Sequence, residues 1–206
     1  MKLKAFKLCT LFFLIIVLTG QMHESVLANT GNNSVLKDNI SYKSITDGDK
    51  EVLKIGDEYL GGIIFYVYTE EKDGEKQQHG LIVSITETTA KWQNAGEVVE
   101  ADKFDDGVYN TKLMRDSPAK DWVEENFSEE WYLPAIDELN LLWESHIDLN
   151  RILRANSHPL ISVNGNYWSS TESSKANAFG FNFSRLGNRF SRNKANLYRI
   201  RAIRTF

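Results

Sequence analysis

The side chains best placed to do chemistry in this sequence are cations. From Ser173 to Phe206 there is no acidic residue, but there are Lys175, Arg185, Arg189, Arg192, Lys194, Arg199, Arg201 and Arg204. Four of these, Arg185, Arg189, Arg192 and Lys194, flank one predicted hairpin with turn residues at Leu186-Gly187-Asn188, so they are expected to converge near its tip. Guanidinium forks match the geometry of sulfate and carboxylate, which makes a sulfated or acidic polysaccharide the expected partner of such a cluster. Arg199, Arg201 and Arg204 fall in the terminal strand and are read as braces that meet acidic partners within the fold. The asymmetry has a second reading, in which the basic tail packs beside an acidic body and neutralises it.

Catalytic chemistry is harder to place, and no catalytic residue is assigned. His79, His146 and His158 are each read as structural or surface residues, because none lies in a nucleophile motif such as G-x-S-x-G. A zinc site would need histidines or cysteines at ligand spacing, and none occur, so no metal or other cofactor is expected. Asp102, Asp105 and Asp106 before Gly107 are oxygen donors of the kind calcium prefers, but their spacing is not that of an EF-hand loop. A solvated turn is the simpler reading of that cluster. Tyr167 and Trp168 offer faces for sugar stacking, but their place in an apolar strand favours the core.

These residues need elements to position them. Ile63 to Tyr68 and Leu81 to Ile85 are β-branched or aromatic runs expected to pair as an antiparallel hairpin, with the charged stretch Glu70 to Gln78 as a long connection. Asn110 or Thr111 is expected to cap a short helix over Lys112 to Arg115. Ser117-Pro118 reads as an N-cap with proline at the first helical position, opening a helix to about Phe127. Trp131 to Pro134 is a short extended piece. Ile136, Leu139, Leu142, Trp143 and His146 or Ile147 recur at helical spacing, followed by a second helical stretch near Leu149 to Arg154. Tyr167 to Thr171 is a strand, Phe179, Phe181 and Phe183 alternate with polar residues or glycine, and Tyr198 to Ala202 alternate again. Strands, then helices, then strands is an α+β pattern: small mixed or antiparallel sheets with two to three helices in a single domain.

Residues 1–28 read as a cleavable secretory signal. Lys2, Lys4 and Lys7 precede an 11-residue, almost wholly apolar run from Leu8 to Leu18, and Val26-Leu27-Ala28 supplies the small residues of a cleavage site. That run is short of the roughly 20 residues needed to span a bilayer, so no membrane span is expected after removal. Residues 29–54 are polar and aperiodic, a linker or mobile arm, and the folded part is expected over residues 55–206. The one cysteine, Cys9, belongs to the signal, so the folded part can form no disulfide. The formal net charge of −4 becomes −6 once Lys2, Lys4, Lys7 and Glu24 leave with the signal. Nucleic acid is therefore not an expected partner.

Six segments in order resemble one family: Gly61 to Val67, His79 to Val83, Asn110-Thr111, Trp131 to Pro134 with Asp137 to Leu142, Tyr167 to Glu172, and Ile200 to Arg204. Together they look like the bacterial domain of unknown function 1566, the C-terminal domain of the Legionella collagen-like adhesin. The resemblance implies a C-type-lectin-like fold, shared with formylglycine-generating enzymes, and surface or secreted proteins that include an adhesin for sulfated polysaccharides. The thiols of formylglycine-generating chemistry are missing, and so is the collagen repeat. Ala135 stands where the family often has a capping Ser. The expected function is thus a secreted, extracellular or cell-surface (or periplasmic) non-enzymatic domain that binds an anionic glycan in the manner of an adhesin. The alternatives are a structural or protein-interaction module of the cell envelope and, more remotely, an extracellular hydrolase. A concave site with a carboxylate pair would favour the hydrolase.

Overall fold

The computed structural model describes residues 46–47 and 50–206, with side chains from residue 52 onward. The expected signal and most of the expected polar arm lie outside the described residues. Two short strands, β1 (Thr46–Asp47) and β2 (Lys50–Glu51), pair within the stretch read as an arm. Just after them, Leu53 is anchored to Gln78, whose amide donates to the Leu53 carbonyl at 3.0 Å while its oxygen accepts from the Leu53 N–H at 2.8 Å. Leu53, two residues before Ile55, is thus already tied to the β-hairpin.

The next strands are β3 (Glu58–Tyr59), β4 (Gly62–Lys72), β5 (Glu75–Ser84) and β6 (Thr88–Lys91). The stretch read as a long loop is mostly strand. β4 and β5 remain paired through Lys72↔Glu75, leaving a two-residue turn at Asp73-Gly74. Both turn residues have positive φ, +55° and +82°. This is the mirror-image turn whose twist matches a right-twisted hairpin, and Asp-Gly is among the pairs that adopt it most readily. Charged side chains do not prevent pairing here because both faces of the hairpin tip are solvated.

Three helices follow: α1 (Gly107–Leu113), α2 (Pro118–Asn126) and α3 (Ile136–Ala155). Asp106 caps α1 through the Tyr109 N–H, four residues before the expected cap at Asn110. Ser117 caps α2 as expected, with Pro118 opening the helix. The two expected helical stretches after Ile136 are one helix of 20 residues, since no Gly or Pro interrupts it. Its buried stripe is Ile136, Leu139, Leu142, His146, Leu149 and Leu153, with Ile147 left in solvent.

The C-terminal strands are β7 (Asn166–Glu172), β8 (Asn177–Asn182), β9 (Asn188–Asn193), β10 (Leu197–Ile200) and β11 (Ile203–Thr205). One mixed sheet runs β6-β10-β7-β8-β9, and a second, antiparallel one runs β11-β5-β4-β3. The expected single terminal strand is two, because at Arg201-Ala202 the chain leaves the first sheet and enters the second. Tyr132 exchanges both backbone hydrogen bonds with Ile203 at 2.9 Å, so the extended piece after α2 is fixed by the end of the chain.

Apolar side chains form two clusters. Ile63, Phe65, Val83, Tyr167, Phe181 and Ile203 pack with the stripe of α3, while Ile64, Ile82, Trp92, Met114, Trp168 and Ile200 form the other. Ile63 and Ile64 thus serve different cores, which explains the unbroken apolar run of β4: both faces are covered. Each fully buried Leu, Ile or Val adds roughly 1.5–3 kcal/mol. The described residues fold as an α+β domain with three helices and two principal sheets. Among the described residues no helix is long and apolar enough to cross a membrane.

Candidate functional site

The four cations expected to converge are instead dispersed. β8 and β9 pair with Phe181 opposite Arg189 and Ala178 opposite Arg192. Phe181 belongs to the core under α3 and Ala178 to the other core, so Arg189 and Arg192 leave the strand on opposite faces. Arg189 forms an ion pair with Asp137 in the first turn of α3. Arg192 lies over the Phe190 ring at 5.9 Å, and its guanidinium donates to the Ser191 carbonyl at 3.0 Å. Arg185, just beyond β8, is exposed and has no carboxylate partner among the described residues.

Lys194 requires a correction, because only 1 % of it reaches solvent. Its ammonium donates to Glu172 Oε1 at 2.5 Å, the Glu97 carbonyl at 2.6 Å and Gln93 Oε1 at 3.1 Å, and lies 4.6 Å from the centre of the Trp92 ring. All three of its protons are used internally, so it can offer none to a polymer. Glu172 in turn accepts from the Val99 and Glu100 N–H groups. The braces expected at Arg199 and Arg201 are present. Both meet Glu87, at 2.6 and 2.9 Å, and Arg201 also donates to the carbonyls of Ser84 and Pro159. Arg204 is different: its guanidinium lies 5.9 Å from the Trp131 ring centre.

Other expectations resolve simply. Tyr167 and Trp168 are fully buried. The Tyr167 hydroxyl donates to Glu87 and accepts from the Ser162 N–H, and burial beside that carboxylate pushes its pKa up. His146 is buried on α3 beside the Trp143 carbonyl, and His158 lies 3.3 Å from Glu58. Asp106 is occupied as a cap, and among the described residues no three His, Cys, Asp or Glu side chains converge as a metal site.

The concave site is elsewhere. A cleft of about 490 Å³ opens between the β4–β5 hairpin and the start of α3. The hairpin contributes Tyr66, Tyr68 and His79. Tyr66 and Tyr68 are two residues apart on β4, and His79 is the direct partner of Tyr68 across the ladder, so all three share a face. Their rings form a row, 5.9 Å from Tyr66 to Tyr68 and 5.6 Å from Tyr68 to His79. Tyr66 is 36 % exposed and Tyr68 48 %, because the hairpin runs past the edge of the core before it turns. Leu81 and Leu141 add apolar surface, and Thr205 and Phe206 complete the lining from the C-terminal strand.

The helical side contributes Asp105, Asp137 and Glu138, and no Lys or Arg lines the cleft. Glu138 is nearly buried. Its Oε1 accepts from the Tyr132 hydroxyl at 2.8 Å, and its Oε2 accepts from the N–H groups of Ala135 (2.7 Å) and Gly107 (3.2 Å). One carboxylate therefore ties the starts of α1 and α3 together by accepting the Ala135 N–H, while the Phe104 carbonyl accepts the Asp137 N–H in place of the side-chain acceptor Ala135 lacks. Burial pushes its pKa up to about 7, against the opposing pull of those donors. The Tyr132 hydroxyl is raised by burial and by Glu138.

A concave site with carboxylates is the feature that favours a hydrolase, so the roles of these groups matter. A general acid must present its proton to substrate, but both oxygens of Glu138 are engaged by the fold. Asp137 is held by Arg189, leaving Asp105 as a lone exposed carboxylate. Sequence reasoning missed this site because Tyr66 and Tyr68 looked like ordinary members of a buried strand. The available signal was the alternation Tyr66, Tyr68, Glu70, which marks a face left open.

No family model matches the chain, and no curated protein matches it. Among solved structures, a fimbrial protein from Bacteroides ovatus aligns with a TM-score of 0.49 at 19% sequence identity, over 62% of this chain and 36% of that one. The chain thus spans little more than a third of that protein's length.

Proposed function

We propose that this protein is an exported, non-enzymatic binding domain of C-type-lectin-like build, related to the domain of unknown function 1566 family, which acts at the cell surface by holding a glycan. The observation that carries this reading is the open cleft with a row of three solvent-facing rings, Tyr66, Tyr68 and His79. The C–H faces of pyranose rings stack on such aromatic surfaces, and nearby carboxylates accept hydroxyl hydrogens. The engaged oxygens of Glu138 support binding without catalysis.

The test is retention of the full chain on a panel of immobilised glycans. Binding through the ring row survives moderate salt and falls about tenfold in Tyr68→Ala, whereas binding through Arg185 and Arg192 to heparin is salt-sensitive and ignores that change. Retention on heparin alone, with indifference to every other glycan, would return the site to the basic hairpin.

A second reading, a structural or protein-interaction module of the envelope, is favoured by one observation. Arg189, Lys194, Arg199 and Arg201 are all spent on internal carboxylates. Indifference to every glycan, with wild-type stability, is its expected outcome.

A further inference from the structure

The cleft combines three features that restrict its ligand further. Its rings are unpaired with protein cations: the cation–π contacts among the described residues involve Tyr109, Phe190, Trp92 and Trp131, not Tyr66 or Tyr68. No Lys or Arg lines it, His79 lies 3.9 Å from Glu70, and Asp105 is the one lining carboxylate held by neither a cation nor the helix starts, since Asp137 meets Arg189 and Glu138 is engaged by the fold. Finally, Arg189 reaches Asp137 from β9 at a position where both partners are nearly half exposed. Such an ion pair is weak and exchangeable.

We propose that the cleft takes a glycan carrying free, protonated amines, such as a chain of glucosamine units, in preference to its N-acetylated or sulfated counterparts. This rests on the glycan-binding reading above. An ammonium over a tyrosine face gains from the ring quadrupole, and a carboxylate beside it adds a charge-assisted hydrogen bond. Acetylation removes both gains while leaving the sugar faces able to stack. A sulfate would meet Asp105 with like charge. At about 490 Å³ the cleft lies within the range of small-ligand sites, roughly 300–1,000 Å³. Arg189 acts as an internal competitor, occupying the carboxylate that a ligand amine would otherwise reach.

The test compares the full chain's affinity for glucosamine tetramer, N-acetylglucosamine tetramer, cellotetraose and a heparin tetrasaccharide by titration calorimetry. The free-amine tetramer is expected to bind at least tenfold tighter than the acetylated one. Asp105→Asn, at an exposed position, should bring the two within about threefold. Tyr68→Ala should weaken all the uncharged and amine-bearing sugars together. Arg189→Ala should raise affinity for the free amine severalfold, the opposite sign to its effect on a heparin-binding protein. Equal binding of acetylated and free-amine tetramers would overturn the amine preference and leave the glycan-binding function intact. No binding of any of the first three sugars would overturn that function itself. A preference for heparin that Arg189→Ala abolishes would overturn both.

Discussion

At the scale of single residues, two buried carboxylates are held by different partners. Glu138 has its pKa pushed up to about 7 by burial, above its ordinary value near 4.5, so the folded state binds a proton more tightly than the unfolded chain. Stability from this group is complete below about pH 4.5 and is lost as pH rises towards and through 7, a decrease on the order of 3 kcal/mol. Urea unfolding at pH 5 and pH 8 should show the midpoint falling with pH, and Glu138→Gln should remove most of that slope. A slope unchanged in the variant would mean that other groups produce it. Glu172 is instead matched by Lys194 and two backbone donors. Lys194→Ala strands a buried charge and should cost about 3–5 kcal/mol, while Arg192→Ala, at an exposed position, should stay within about 0.5 kcal/mol. Equilibrium denaturation distinguishes the two, and an equal effect would mean that Lys194 is not buried in solution. The sequence could not separate these neighbours. Both are basic residues after one turn, and what divides them is register plus a partner from a distant strand. Glu172, Gln93 and Glu97 lie 22 to 101 residues away in sequence.

Elements were more legible, because they depend on local rules. The Ser117-Pro118 cap and the stripe beginning at Ile136 were visible as type and spacing alone. The α1 cap was misplaced because Asp106 was read as part of a turn or an ion site, when its carboxylate was needed at a helix start. Charge in the β4–β5 connection resembles loop character in the sequence, but Asp73-Gly74 specifies a two-residue turn and the charges mark exposed strand. That turn gives a direct prediction. A methyl group at Gly74 would meet nothing within 4 Å, so Gly74→Ala tests backbone conformation alone. It should destabilise by about 1 kcal/mol through the positive φ, with Gly74→Asn affected less, as read by thermal unfolding. Equal effects from Ala and Asn would remove the conformational explanation. The aromatic cleft follows from the same feature: a short loop lets the paired strands extend, and the extension exposes Tyr66 and Tyr68.

For the whole molecule, the uneven charge of the sequence has a structural use. The acid-free C-terminal segment contacts an acidic body through Arg189–Asp137, Lys194–Glu172 and the paired arginines at Glu87, which was one of the two readings the sequence left open. Composition showed the asymmetry but not its direction of use, since an internal brace and an external binding surface are written with the same residues. The pairing also makes the C-terminal segment structural: β10 belongs to one sheet, β11 to the other, and Ile203 holds Tyr132 as well. Deleting residues 203–206 should therefore abolish cooperative unfolding and the near-ultraviolet circular dichroism of the buried tryptophans. A truncated chain that still melts sharply would show the two sheets to be independent.

The crossing of the chain from one sheet to the other at Arg201-Ala202 also imposes an order on synthesis. β11 pairs with β5 through Ile203 opposite Val83, so the second sheet lacks that strand until all the residues between them have been made. Until then one edge of β5 offers unpaired backbone groups, and the arrival of Ile203 closes it.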